Sequence, residues 1–449
     1  MTDEFISLGV RNGDSFFLKR KEITVLVDGG EDELLMTDLL FASTHSRYVD
    51  ILVCTHPDKD HIAGIIGFLK NPLFSCRELW LPSYIGKLSK GVIANPEEGL
   101  RQLMKGLTSR LRKLFSIKKA VLDAKGDLES SSLTNCRNLN AELVSLVKED
   151  TDLLKKSLSD SCTNDDNGSF RSLNDGVFPD SSAEPAILGI NPRYEKTIQY
   201  ERSRDFLKKI LPMIPHDKNG CIAHDSDESN YFELFLANNS CVNLYLKYID
   251  LFDRIRVLIE LAATRRIPVR FFEYNPIKSS GGIHGVLEPV NSLEVSFVKP
   301  RQPSHISEDI TSLLLLSTQN RTSLVFHSPR YPAVLFTADS DLKFKQSISW
   351  TNGMIITAPH HGSIHNQNAY DRFSKEASSC KPLWIMTNHP SIKRETDFFD
   401  LNKSQALYKS FLDKKSRNSH FFKADNGIWN LEKTEIVSFR DKQYCLLKK

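Results

Sequence analysis

The sequence predicts an α/β (α+β) fold arranged in layers, with a helical insertion in its middle. Three observations predict it. Short apolar runs of strand character alternate with amphipathic helical runs at both ends of the chain. The stretch between them is charged, rich in Ser, Asn and Asp, and helical in its periodicity. The apolar runs also end repeatedly on His and Asp, which suits an α/β layer whose loops converge on one edge.

Residues 1–88 read as the first half of the fold. Phe5-Ile6-Ser7-Leu8 and Ser15 to Leu18 flank a turn at Asn12-Gly13-Asp14, and Ile23 to Val27 follows as a third strand. That strand ends in Asp28-Gly29-Gly30, where glycine allows a tight exit that a side chain would block. Leu34 to Phe41 has helical spacing, Tyr48 to Cys54 is the next strand, Ile65 to Leu69 is helix-like, and Glu78 to Pro82 is a short strand.

Residues 89–245 read as a mainly helical insertion. Leu100 to Phe115 and Leu139 to Leu158 carry helical apolar spacing. Ser130-Ser131-Ser132 and the tract from Ser159 to Ala183 are too polar to bury a core of their own and read as exposed loops. Residues 246–449 resume the α/β pattern. Ile249 to Ala263 is an amphipathic helix, Ile267 to Phe272 and Leu293 to Val298 are strands, and Ser323 to Phe326 pairs with Ala333 to Phe336 as a hairpin. Met354 to Thr357 and Leu383 to Thr387 complete the set.

Composition narrows the class. The 449 residues are 40% hydrophobic and 26% charged, ordinary for a globular protein, and the net charge of +3 is too small to argue for nucleic acid. The eight cysteines include no CxxC pair, which points to free thiols in a reducing compartment rather than a zinc ribbon. The start, Met1-Thr2-Asp3-Glu4, lacks a signal-peptide charge pattern, and runs such as Leu313 to Leu316 fall far short of the ~20 apolar residues that cross a bilayer. The expectation is a cytoplasmic protein with no membrane segment.

The chemistry gathers at strand ends. His56-Pro57-Asp58-Lys59-Asp60-His61 places candidate metal ligands at both ends and in the middle of a six-residue stretch after the strand that ends at Cys54. An extended loop would bring residues 56, 58 and 60 to one side, and the turn into a helix would set His61 beside Asp60. A pair of metal ions needs this mixture of imidazoles, terminal carboxylates and one bridging carboxylate. The aspartates make the set oxygen-rich, which tilts it from zinc towards manganese while remaining compatible with zinc. Singly, Asp60 reads as a helix N-cap, Asp339 as a turn residue and His56 as a structural histidine, and His389 says almost nothing. Jointly they read as one site, because five of the 13 histidines (His56, His61, His360, His361 and His389) sit in strand-end motifs.

These motifs resemble the metallo-β-lactamase superfamily, most closely the branch formed by the hydrolase domain of the competence protein ComEC. Residues 56–64 match that branch's His-Pro-Asp-x-Asp-His-x-x-Gly, and Asp28-Gly29-Gly30 matches an earlier element. Val10-Arg11-Asn12-Gly13-Asp14-Ser15 is similar to its opening Val-Gly-x-Gly-Asp-Ser, and Asn320 to Val325 to its Asn-x-x-Ser-Leu-Val strand. Thr337-Ala338-Asp339 stands where the family has Thr-Gly-Asp, Pro359 to Ser363 matches Pro-His-His-Gly-Ser, and Asn388-His389-Pro390 resembles a late His-Pro. The resemblance covers roughly residues 4–80 and 250–435 and departs from the family at Ala338, Arg11 and Asn12.

The resemblance implies an αββα sandwich with two divalent metal ions, zinc or manganese, at one edge between the sheets. By position, His56, Asp58, Asp60, His61, Asp339, and His360 or His361 would be the ligands, with Asp339 bridging. His389 would be a further ligand or a proton donor, and Asp60, His361 and His389 would carry the catalytic roles. The implied activity is metal-dependent hydrolysis, foremost of phosphodiesters in DNA, by metal-activated hydroxide attack. A soluble copy with a large insertion suggests a subunit of a multi-protein antiviral defence system, partnered through the insertion by an ATPase or sensor. Two other readings stand beside it. One is a hydrolase of a small ester, lactone, thioester or cyclic nucleotide; the other is an adaptor with a vestigial site.

Overall fold

The computed structural model describes residues 2–88, 239–296, 322–377, 379–389, 398–399, 406–410, 416–440 and 443–447. The helical runs and loops expected between 89 and 238 lie outside the described residues, so the surface expected to bind a protein partner does too. Asn320, Arg321 and Pro390 lie outside them as well.

Strand-forming residues alternate between two apolar surroundings. The first strands are β1 (Glu4–Ser7), β2 (Phe16–Arg20) and β3 (Ile23–Val27). Phe5, Phe16, Leu18, Val25 and Val27 point into one core, and Ile6, Phe17 and Leu26 into another. β4 (Tyr48–Val53), β5 (Ser75–Pro82) and β6 (Val269–Tyr274) continue the sheet beside β3, all in parallel. β8 (Ser292–Val295) closes one edge; β14 (Ser416–Asp425), β15 (Ile428–Arg440) and β16 (Gln443–Leu447) extend the other through the β1 side. The order of this ten-stranded sheet is β16-β15-β14-β1-β2-β3-β4-β5-β6-β8.

A second sheet of six strands is built from the later part of the chain. Its order is β13 (Ala406–Lys409), β12 (Leu383–Met386), β11 (Ile355–Thr357), β10 (Val334–Phe336), β9 (Phe326–Ser328) and β7 (Glu288–Pro289). β10 to β13 run parallel, and β9 pairs antiparallel with β10. Here too the period is two: Val334, Phe336, Ile355 and Ile385 face the inner core, while Leu335, Ile356, Trp384 and Met386 face away from it.

Helices cover the outward faces. α1 (Leu35–Thr44), α2 (Lys59–Lys70) and α4 (Asn239–Thr264) contribute Leu39, Ile65, Phe68, Phe252 and Ile255 to the core on the far side of the large sheet. α3 (Ser83–Lys87) follows β5 directly. α5 (Gln367–Glu376) places Ala369, Tyr370 and Phe373 against the small sheet. The fold is therefore a mixed α/β architecture with two mixed sheets, as expected at that level.

Several boundaries differ from expectation. The strand expected at Ser323 begins only at Phe326, because Leu324 N bonds to Thr55 O (3.1 Å) and Val325 N to the Asn291 side chain (2.8 Å) instead of a ladder partner. The helix expected from Ile65 begins at Lys59, inside the ligand motif. The helix expected from Ile249 begins at Asn239. No helix among the described residues is long and apolar enough to cross a membrane. Cys54, Cys76 and Cys380 carry free thiols.

Candidate metal centre

The C-terminal ends of parallel strands from both sheets meet at one place. β3 runs into Asp28, β4 into Thr55 and His56, β10 into Asp339, β11 into His360 and His361, and β12 into Thr387 and His389. The exit from β3 packs backbone on backbone: a Cβ on Gly29 would stand 2.4 Å from Ile65 N, and one on Gly64 1.9 Å from Gly29 O. Only glycine lets α2 approach so closely.

α2 divides the motif. Asp58 holds the N-cap position with extended backbone (φ −65°, ψ 147°) yet makes no capping hydrogen bond, and Asp60 lies in the first turn. The expected single-sided array of residues 56, 58 and 60 is thus replaced by a split one, since residues in a helical turn point about 100° apart. Asp58 turns to His56, and Asp60 turns to the histidines of the small sheet.

Asp339 stands between the two groups, with one oxygen for each. Its Oδ2 lies 3.6 Å from His56 Nε2 and 3.6 Å from His360 Nε2, and His56 Nε2 is 3.8 Å from Asp58 Oδ2. Its Oδ1 lies 3.4 Å from His61 Nε2 and 3.6 Å from His361 Nε2; the latter is 3.0 Å from Asp60 Oδ2. His389 Nε2 is 3.8 Å from Asp60 Oδ2, and its ring stacks on His361 at 5.5 Å. All the expected ligands are brought together.

The separations suit metal ions. Two atoms each about 2.1 Å from one ion lie about 3.0 Å apart at a right angle and about 3.4 Å apart at the tetrahedral angle. His56 Nε2, His61 Nε2 and Asp339 Oδ1 are buried without any hydrogen-bond partner, although buried polar groups are normally paired. Asp14, His61, Asp339 and His361 offer ligand atoms within 4.8 Å of one another, as do His56, Asp58 and Asp339, so these groups could bind metal ions.

The far sides of three imidazoles fix their tautomers. His61 Nδ1 pairs with Asp28 Oδ2 at 2.9 Å. His56 Nδ1 pairs with Thr55 Oγ1 at 3.0 Å, and that hydroxyl donates to Asp28 Oδ2 at 2.7 Å. His361 Nδ1 faces Thr387 Oγ1 at 2.8 Å and Asp14 Oδ1 at 3.1 Å, with Thr387 Oγ1 donating to Asp14 Oδ1 at 2.5 Å. In each case the ring proton belongs on Nδ1, which leaves the Nε2 lone pair facing the centre. Asp14, Asp28, Thr55 and Thr387 were not foreseen as site residues. Their signal was positional: Asp28, Thr55 and Thr387 follow strands that end on the same edge.

The electrostatics of these groups follow from this crowding. Burial pulls His61 down, but Asp28, Asp60 and Asp339 outweigh it and hold its pKa well above 6.5. Burial also acts against His361, and Asp14 and Asp339 overcome it, raising it to about 10. Burial would raise Asp339 and Asp60, yet the surrounding imidazoles hold both below the usual carboxylate range. Asp58 is raised, and His360 and His389 lowered, chiefly by burial. At pH 8 the proton on His361 therefore does the work of a cation. Loading divalent ions at that pH is expected to release about one proton per chain from His361, with affinity still rising towards pH 10 as it loses that proton unaided. Titration in weak buffer with an indicator dye measures this; metal uptake without proton release would show that His361 is not a ligand.

Backbone strain concentrates here. Ala338, His360 and His361 have φ of 46°, 51° and 55°, and His360 N bonds to Ala338 O at 2.9 Å. The left-handed turn aims both imidazoles at Asp339. Alanine bears this conformation at modest cost and keeps a buried methyl in place of glycine's freedom, so Ala338→Gly is expected to change stability by under about 1 kcal/mol. Ala338→Val, β-branched and overpacked, is expected to cost about 2–4 kcal/mol in urea unfolding.

No family model matches the chain, and no match is found among curated proteins.

Proposed function

We propose that the protein is a metal-dependent phosphodiesterase acting on DNA, built as an αββα sandwich of the metallo-β-lactamase type. One observation carries the reading: Asp339 presents opposite oxygens to His56 Nε2 and His61 Nε2, both buried with no hydrogen-bond partner. His56, Asp58, His360 and Asp339 would hold one divalent ion; Asp60, His61, His361 and Asp339 would hold the other. Bound there, manganese or zinc supplies Lewis acidity and a water of lowered pKa. The carboxylate share of the donor set favours hard ions, which also suit phosphate oxygens. The αββα reading is supported by the three apolar cores, one between the sheets and one beneath the helices on each side.

The chain's own groups have distinct tasks. Asp14, Asp28, Thr55 and Thr387 orient the imidazoles. His389, 29% exposed, lies beside Asp60 as an imidazole held neutral by burial, whose N–H can donate a hydrogen bond to a leaving oxygen.

The test is cleavage of linear and plasmid DNA with manganese, run beside a chromogenic ester and with metal content measured after purification without chelator. Manganese-dependent DNA cleavage supports the reading. Ester turnover without DNA cleavage replaces it with the small-substrate hydrolase. Less than about one equivalent of metal, with no rescue by manganese, leaves the adaptor.

A further inference from the structure

Three arginines of the second half are engaged away from the centre. Arg265 donates to Phe74 O (2.7 Å), Arg270 binds Glu294 and lies over Trp80, and Arg330 Nε stands 3.1 Å from Asp3. Lys299, Arg301 and Lys393 lie outside the described residues.

Lys59 is placed differently. It lies between Asp58 and Asp60, but its side chain leaves the cluster, is 57% exposed, and holds Nζ 3.4 Å from Glu31 Oε1. Asn12 Nδ2 donates to the other oxygen of the same carboxylate, Oε2. Asn388 Nδ2 in turn donates to Asn12 Oδ1 at 2.8 Å. Donors from separate elements thus converge on both oxygens of one anionic group.

The backbone seats this cradle against the centre. Asp14 N donates to Asp60 O at 3.2 Å, and Gly13 N donates to Asn388 O at 2.8 Å, one residue before His389. A Cβ on Gly13, where φ is +88°, would stand 1.7 Å from Asp60 O. Asn12 is therefore held on the Asp60 and His389 side.

We infer that Lys59 and Asn12 form a phosphate subsite for a phosphodiester chain, in which a non-scissile phosphate takes the place now held by the Glu31 carboxylate. This rests on the phosphodiesterase reading and deepens it. Two non-bridging phosphate oxygens present the same pair of acceptors as a carboxylate. The exchange is cheap, because an ion pair as open as Lys59–Glu31 contributes little stability. The Lys59 ammonium also offers a polyanion a positive charge beside a centre crowded with Asp14, Asp28, Asp58, Asp60 and Asp339.

The test uses manganese-loaded full-length protein and two substrates, a single-stranded DNA oligonucleotide and bis(4-nitrophenyl) phosphate, which has no flanking phosphate. Lys59→Ala is expected to raise the oligonucleotide KM about tenfold more than that of the small diester, and to lower the salt slope of oligonucleotide binding by about 0.7. Lys59→Arg should restore most of the loss, and Glu31→Gln should lower the oligonucleotide KM. Equal effects on both substrates, or none, overturn the subsite. Hydrolysis of the small diester but not the oligonucleotide by the unsubstituted protein overturns it too, leaving a phosphodiesterase. Hydrolysis of neither overturns the proposed function and the subsite with it.

Discussion

Asp339→Asn is expected to reduce bound metal from about two equivalents to one or fewer and to lower hydrolysis by about three orders of magnitude, about 4 kcal/mol of transition-state stabilisation. The reason lies in the two oxygens. Oδ1 serves the His61 and His361 group, and Oδ2 serves the His56 and His360 group. An amide keeps one acceptor and turns an NH2 towards the other group, where it repels a cation and offers it no ligand. The substitution also removes a negative charge that helps hold His361 near pKa 10. In the cation-free protein, NMR titration of His361 should therefore move downwards even where activity is not measured. Full metal content in Asp339→Asn would remove the bridge from the proposal.

The parts of this site that the sequence exposed were those with short-range patterns. His56 to His61 lies within one turn and its preceding loop, and the strands before Asp339, His360 and His389 are apolar runs that need no partner to be recognised. What remained hidden depends on pairs distant in the chain. Asp14 meets His361 across 347 positions, and Thr387 meets Asp14 across 373. An aspartate at a turn and a threonine after a strand have ordinary local roles, so neither residue by itself shows which histidine it orients. The split of Asp58 from Asp60 was equally illegible, since it follows from α2 starting at Lys59, and helix ends are the least determined feature of a pattern. The C-terminal strands β14 to β16 escaped for another reason. Their mixed charged and apolar residues, such as Ser416 to Asp425, match a strand only when β1 and its neighbours are there to pair with them.

Asp28→Asn is expected to weaken both metal positions together, by about 10- to 100-fold in affinity at each. Asp28 Oδ1 accepts Thr55 N at 2.8 Å, while Oδ2 accepts Thr55 Oγ1 at 2.7 Å and pairs with His61 Nδ1 at 2.9 Å. An asparagine that keeps its carbonyl on Thr55 N turns its NH2 towards the other two atoms. His61 must then accept at Nδ1 and carry its proton on Nε2, the atom proposed to hold the ion. Thr55 Oγ1, now accepting from the amide, points its own hydrogen at His56 Nδ1 and drives that ring to the same wrong tautomer. One buried carboxylate thus controls an imidazole in each group. Thr55→Val should weaken only the His56 side, and Asp14→Asn only the His361 side. Competition with a chelating dye resolves the two affinities, and circular dichroism confirms that each variant is folded. If Asp28→Asn weakens a single position, or if Thr55→Val weakens both, the shared control by Asp28 is wrong.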